Sequence, residues 1–266
     1  MAEPFLDRIL EGVAARVALL ERDDGLEERA LAAAAVRRGR DPRSLERALR
    51  AAGPRVIAEC KRSSPSAGLL AAGLDPVVLA AKYAGAGAAA ISVVTEQDHF
   101  GGDPGWLGPV RAAVDVPVLR KDFVVDRRQL WQTAALGADA VLLINRILDR
   151  DLLAELVAEA GRLHLDVLLE LFVDEDPEAV EGVDVALVGV NARDLRTFEV
   201  DLDRVVELAP RVPAGRVRVA ESGIGSREEL VRLHAAGYDA FLVGTYLVRA
   251  ADPGAALCDL LGASRC

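Results

Sequence analysis

The chain has 266 residues, 52% of them apolar and 4% aromatic, with a formal net charge of −10. That length accommodates a (β/α) barrel of about 250 residues as one domain and a large core of Ala, Val and Leu. The acidic balance excludes a broad basic face for nucleic acid or an anionic membrane, so positive charge toward an anionic ligand must be concentrated locally.

Residues 4–50 read as helix. Phe5, Leu6, Ile9, Leu10, Val13, Val17 and Leu20 follow the i, i+3/i+4 stripe, with Glu11 and Arg16 off it. Charged breaks at 21–25 and 38–43 separate this stretch from "SLERALRAA", a further short helix. After Pro54 the rhythm changes to eight short β-prone runs: "RVIAECK", "AAISVVTE", "VPVLRKD", "AVLLINR", "DVLLELF", "ALVGVNAR", "RVRVAESG" and "AFLVGTYL". Helical periodicity lies between them, as in "DRDLLAELVAEAGRLH" and "SREELVRLHAAG". Strands alternating with helices imply parallel strands joined by crossovers, and their continuous apolar character implies that both faces are covered. Eight units fit a closed (β/α)8 TIM barrel better than an open sheet. Gly87, Gly137 and Gly237 each follow a helical stretch and read as left-handed C-terminal glycines. The expected organisation is one α/β domain over residues 1–266, with 1–50 as a helical N-terminal extension over the barrel mouth.

Polar groups collect where the runs finish. Glu59 and Lys61 end the first, Glu96 the second, Lys121 the third, Asn145 and Arg146 the fourth and Glu170 the fifth. Asn191 and Arg193 end the sixth, Glu221 and Ser222 the seventh, and Gly244 and Thr245 the eighth. Taken singly each is a solvated strand end; in a closed barrel all would converge on one mouth. Period-two geometry puts Glu59 and Lys61 on one face and turns Cys60 toward the helices as a packed small hydrophobe. The chain holds only three lysines, and two of them, Lys61 and Lys121, sit at strand ends, while Lys82 reads as a solvated helix charge. Arginine cannot surrender its proton near neutral pH, whereas a lysine in a tuned environment can.

The stretch "VAESGIGSREEL" ends a strand, turns on Gly223 and Gly225, and opens a helix at Ser226, with Glu229 placed for a capping box. Together with "VGTYL" it offers glycine-rich loops after strands seven and eight, where such barrels often hold phosphate. His99, His164 and His234 are scattered without ligand spacing, so no metal is expected. Cys60, Cys258 and Cys266 are odd in number and lack CxxC spacing, which fits a reducing compartment without a disulfide framework. No leader pattern and no membrane-length apolar run is present, so the sequence reads as a cytoplasmic protein.

With these residues in view, the chain resembles the indole-3-glycerol-phosphate synthases of tryptophan biosynthesis. The motifs that carry the likeness are "IAECKRSSPSAGLL", "ISVVTEQDHF", "PVLRKDF", "LLELF", "VGVNARDLRTFEVDL" and "VAESGIGS", in family order. The resemblance implies a (β/α)8 barrel with a helical lead over its mouth and no cofactor. It implies ring closure of 1-(2-carboxyphenylamino)-1-deoxyribulose 5-phosphate with loss of CO2 and water. By the same likeness Lys121 would be the general acid and Glu170 the base or electrostatic partner. Glu59 and Glu221 would stabilise charge on the anilino nitrogen and orient Lys121, and Asn191 would bind the sugar hydroxyls. Lys61, Ser64 and Arg193 would hold the carboxylate and phosphate ends. Ser222, Gly223, Gly244 and Thr245 would cradle the phosphate, and Phe123 would wall the aromatic ring. Partners are then a phosphorylated small molecule alone, with the chain a monomer or weak homo-oligomer.

Two positions depart from the family pattern. Gly101, Gly102, Asp103 and Pro104 stand where a Gly-Ser pair is common, and Thr245 stands where Ser is frequent. Two other functions compete with ring closure. In one, Lys121 is a Schiff-base nucleophile of a sugar-phosphate aldolase; in the other, the barrel is a non-catalytic partner of a tryptophan-pathway enzyme.

Overall fold

All eight apolar runs form strands: β1 (Arg55–Cys60), β2 (Ala90–Val94), β3 (Val118–Lys121), β4 (Ala140–Ile144), β5 (Asp166–Phe172), β6 (Leu187–Asn191), β7 (Val217–Glu221) and β8 (Ala240–Val243). They belong to a computed structural model that describes residues 4–38 and 43–263. Each strand pairs in parallel with its sequence neighbours, and β8 returns to β1 with Arg55 opposite Ala240 and Ala58 opposite Val243. The sheet is therefore a closed barrel without a free edge.

Alternation along the strands divides the core in two. Val56, Ala58 and Cys60 of β1 join Ile91, Val93, Val141 and Leu143 in an outer layer beneath the helices. Ile57, Leu119, Leu142, Leu168, Val219 and Leu242 fill the barrel itself. Cys60 is a buried free thiol in the outer layer, as the period-two pattern requires. Cys258 is disulfide-bonded, and Cys266 lies outside the described residues.

Three helices precede the barrel: α1 (Pro4–Leu20), α2 (Leu26–Arg38) and α3 (Leu45–Leu49). They do not all lie over the mouth. Only α1 does, burying Leu6, Ile9 and Val13 while Arg16 pairs with Asp98 and Glu96 of the loop after β2. Helix α3 plugs the opposite end, where Ser44 donates to Asp166 at 2.9 Å and Arg50 donates to the Gly215 carbonyl at 2.8 Å. Residues 39–42, within the second expected charged break, lie outside the described residues.

The remaining helices are α4 (Pro76–Gly85), α5 (Leu107–Ala113), α6 (Arg127–Ala135), α7 (Arg150–Arg162), α8 (Leu202–Leu208), α9 (Arg227–Ala235), α10 (Thr245–Arg249) and α11 (Pro253–Leu261). Helix α2 runs along the barrel's flank, with Arg37 donating to the carbonyls of Ala134 at the end of α6 and of Ala138 just beyond it. Asp75, Asp126, Asp149, Asp201, Ser226 and Asp252 cap α4, α6, α7, α8, α9 and α11 by accepting backbone N–H groups. The box expected at α9 is displaced: Glu229 accepts from the Gly225 amide at 2.8 Å rather than from Ser226. Gly87, Gly137 and Gly237 carry φ values of 91°, 89° and 107°, the left-handed helix exits read from the sequence.

One crossover departs from the α-helical rule. Between β5 and β6 the chain makes only a 3-10 turn, Pro177–Val180, and leaves it at Gly182 with φ 80°. Beside that turn lies a cavity of about 600 Å3 lined in part by Val157, Val183 and Val185.

Candidate active site

The charged end of β3 illustrates how the barrel sorts its side chains. Arg120 and Asp122 turn outward beneath α6 and pair at 2.8 Å, both buried. Lys121 between them turns inward. Its Nζ lies 2.9 Å from Glu170 Oε2 of β5 and 3.1 Å from Glu221 Oε2 of β7. Glu59 acts on Lys121 through its charge, while its Oε1 lies 2.7 Å from Lys61 Nζ, one residue past the end of β1. The reason is local, since residues i and i+2 of a strand share a face.

Glu59, Glu170 and Glu221 are all nearly inaccessible, so their charges act on one another with little screening. Burial alone would lower the Lys121 pKa, but Glu170, Glu221 and Glu59 outweigh it and hold the ammonium well above the ordinary lysine value. Burial likewise opposes charge on Glu170, yet Lys121 and hydrogen bonds from Glu221, Lys121 and Asn191 keep it below its usual range. Glu221 goes the other way. Burial, reinforced by the Glu170 charge and opposed by Lys121, pushes it up to about 8. The two carboxyls thus share one proton near neutral pH beside a fixed cation.

Two glycines make room for this cluster. A Cβ at Gly189 of β6 would lie 2.1 Å from Glu221 Oε1, and one at Gly244 would lie 2.1 Å from Glu59 Oε1 and 3.0 Å from Lys61 Nζ. Gly244, expected from the sequence in a phosphate loop, is thus needed for this close approach, and Gly189 is a cluster residue that the strand-end argument overlooked. An isolated glycine inside an apolar strand was the available signal.

On one side of the lysine, the chain after β7 passes through Ser222 and Gly223 with φ of 68° and 77°. Ser222 is a non-glycine residue in the left-handed region, a conformation that costs about 1–3 kcal/mol and clusters at functional sites. Gly223 is required by packing, since its Cβ would meet Val200 at 2.2 Å. Thr245 opens α10 alongside, and Ser64 accepts the Ala67 amide in the loop after β1. Asn191 Oδ1 accepts the backbone N–H of Arg193 at 3.0 Å, and the Arg193 guanidinium donates to the Phe198 carbonyl at 2.7 Å. Burial lowers the Arg193 pKa, partly offset by Glu59.

The other side is aromatic. Phe123 and Phe100 stand 6.3 Å apart between ring centroids, and Phe5 of α1 meets Phe198 edge-on at 5.4 Å. Of these only Phe123 was singled out from the sequence. The others come from distant segments that only the closed barrel brings together. Glu96, at the end of the second run, lines the cavity and organises their loop: its carboxylate accepts the amides of Asp98, His99 and Phe100. His99 packs edge-on against Phe5 at 5.3 Å.

All thirteen expected site residues line one cavity of about 640 Å3: Glu59, Lys61, Ser64, Lys121, Phe123, Glu170, Asn191, Arg193, Glu221, Ser222, Gly223, Gly244 and Thr245. Among the described residues no group of three or more His, Cys, Asp or Glu is placed to hold a metal ion, and no helix is long and apolar enough to cross a membrane.

A model of the family described as indole-3-glycerol phosphate synthase matches residues 6–260. The chain belongs to that family. It is 45% identical over 258 residues to indole-3-glycerol phosphate synthase 1 of Streptomyces coelicolor, covering 97% of this chain and 95% of that protein. It is 48% identical over 219 residues to the indole-3-glycerol phosphate synthase of Salinibacter ruber, covering 82% and 81%. Among solved structures, 3-hexulose-6-phosphate synthase matches with a TM-score of 0.60 at 19% identity, covering 79% of this chain and 99% of that one. A mutant tryptophan synthase alpha-subunit of Pyrococcus furiosus gives 0.57 at 14% identity, covering 78% and 98%. Those two likenesses show the barrel alone.

The loop after "HF", expected from the sequence to differ from indole-3-glycerol phosphate synthases, has its own structural logic. Gly102 donates its amide to the Glu96 carbonyl at 2.7 Å, and a Cβ there would lie 2.4 Å from the Val94 carbonyl oxygen. Asp103 then accepts the Gly105 amide and starts a 3-10 turn at Pro104. The loop is therefore seated on the end of β2, below the aromatic wall.

Proposed function

We propose that the protein is an indole-3-glycerol phosphate synthase, a carbon–carbon lyase that closes the indole ring of 1-(2-carboxyphenylamino)-1-deoxyribulose 5-phosphate. The observation that carries this reading is Lys121 fixed between Glu170 and Glu221, with glycine loops and cations on one side and phenylalanines on the other.

The substrate has an anionic ring carboxylate, an anionic phosphate and a ketone between them. The phosphate fits the loops at Ser222, Gly223, Gly244 and Thr245, with Lys61 beside them. The aryl ring fits between Phe123 and its aromatic neighbours, and Asn191 faces the sugar hydroxyls. Ring closure begins when the ring carbon bearing the carboxylate attacks the ketone carbon. The carbonyl oxygen gains charge as that bond forms, and the Lys121 ammonium donates a proton to it. Positive charge spreads onto the anilino nitrogen, where the Glu59 carboxylate and the single negative charge shared by Glu170 and Glu221 oppose it. Breaking the bond to CO2 returns its electron pair to the ring. The former carbonyl oxygen then departs as water, protonated by Lys121 after the amine has regained a proton from solvent, while Glu170 takes the proton released in forming the indole double bond. Glu170, 2.9 Å from the amine, is placed to restore the proton to Lys121.

A Schiff-base aldolase would need a neutral amine at Lys121, and three carboxylates favour the charged form. The test supplies the carboxyphenylamino substrate and follows indole-3-glycerol phosphate by its indole fluorescence, with borohydride added in a parallel arm. Product without a trapped adduct supports the reading. A folded protein that yields none, or a covalent adduct on Lys121, sinks it.

A further inference from the structure

The outward face of β3 carries a second cluster that the ring-closure chemistry does not use. Arg120 and Asp122 are 2% and 5% exposed, and each side-chain polar atom of the pair has a partner. Arg120 donates through Nε to Thr95 Oγ1 at 3.1 Å, through Nη1 to the Gln129 carbonyl and to Thr133 Oγ1 at 3.0 Å each, and through Nη2 to Asp122. The Thr95 hydroxyl donates to Asp122 Oδ2 at 2.6 Å. A buried ion pair adds little stability beyond an apolar pair of similar volume, so stability alone does not account for it.

What the cluster holds is the backbone on either side of the lysine. The Thr95 amide donates to the Lys121 carbonyl at 3.0 Å, while its side chain grips Arg120 and Asp122. Asp122 Oδ1 accepts the Phe123 amide at 2.9 Å, and Gln129 Nε2 donates to the Phe123 carbonyl at 2.8 Å. Residues 120 to 123 are thus fastened from behind at consecutive positions, with Lys121 and the Phe123 ring projecting into the cavity. We propose that Thr95, Arg120 and Asp122 are positioning residues that set the direction of the Lys121 amine and the seat of the Phe123 ring. In its catalytic arm this inference rests on the ring-closure reading.

The test uses Thr95→Val, which removes the hydroxyl but keeps the amide bond to Lys121, and Thr95→Ser, which restores a hydroxyl. The full chain is labelled with nitrogen-15 at the lysine side chains; with only three lysines, the Lys121 signal is assignable. Thr95→Val is expected to move the Lys121 signal but not that of Lys82, and to lower kcat by about 10- to 100-fold with KM little changed. Thr95→Ser is expected to return both readouts toward wild type. If Thr95→Val fails to fold, the paired change Arg120→Met with Asp122→Leu removes the charges together and so leaves neither buried unpaired, and the same two shifts are expected from it. A folded variant with the Lys121 signal or kcat at its wild-type value overturns the proposal, as does a loss confined to KM or a Thr95→Ser variant as impaired as Thr95→Val. Absence of turnover in the wild type would instead sink the ring-closure reading, and the nitrogen signals would then decide the positioning role alone.

Discussion

At the starts of the strands, Asp139 and Asp239 accept the backbone N–H groups of Val118 and Arg218 at 2.9 and 2.8 Å, and Asp166 accepts from Ser44 and Glu46. At the ends of the same strands, Glu170 and Glu221 surround a lysine, and Glu221 Oε1 has no hydrogen-bond partner. Asp139 and Glu221 are almost equally buried, at 4% and 1% exposure, so depth does not separate them. Their partners do. An acid committed to a backbone donor and an arginine, as Asp139 is to Val118 and Arg111, anchors the chain, whereas an acid left with an unpartnered oxygen can respond to a ligand.

That contrast is broken most severely by Lys121→Arg. The charge remains but the proton cannot be given up, so turnover is expected to fall by at least about 10²–10⁴-fold while the substrate still binds. Near-normal turnover would refute the general-acid role. Gly189→Ala comes next, because its methyl would meet Glu221 Oε1 at 2.1 Å. Displacement of that carboxylate is expected to lower kcat by about 10- to 100-fold in a protein that still folds; unchanged kcat would show that Glu221 has room to spare.

A third test uses pH. Glu221 has its pKa raised from 4.5 to about 8 on folding, so across that window the native state binds more protons than the unfolded chain. Its contribution to stability is fully present below about pH 4.5 and is lost as pH rises through about 8. Urea melts should therefore show the wild type weakening across that interval relative to Glu221→Gln, which cannot lose the proton. Parallel profiles would contradict the shared-proton reading. The smallest effect belongs to the opposite end of the barrel. Asp139→Ala removes the partner of the Val118 amide and should cost about 1–3 kcal/mol of stability in a denaturant titration. Its kcat should match the wild type; a drop there would erase the distinction between the two ends.

Much of this arrangement was legible before any coordinates. Period-two alternation placed Glu59 and Lys61 inward and Cys60 outward, and a closed ring of parallel strands brought all thirteen site residues to one cavity. What alternation does not encode is which carboxylate meets which amine. Across strands that depends on stagger and side-chain torsions, so the contacts of Lys121 with Glu170 and Glu221 emerge only in three dimensions, whereas the Glu59–Lys61 pair follows from their shared face. Phe5, Phe100 and Phe198 escaped for a similar reason. Each looks like an ordinary apolar residue in its own segment, and the wall exists only where a helix and two loops meet. The helical lead was recognisable from its stripe, but its split between mouth, flank and base is a matter of packing.

The short 3-10 connection between β5 and β6 has a bearing on how the wall comes apart. Resistance to local opening follows the density of packed neighbours, and here one turn and an adjacent hollow replace a full covering helix. Amide hydrogens from Glu178 to Ala186 should accordingly exchange with solvent ahead of those behind α6 or α7. Glu181 and Gly182, both exposed, then form a seam at which an inserted peptide can be carried with the lysine and its carboxylates left undisturbed.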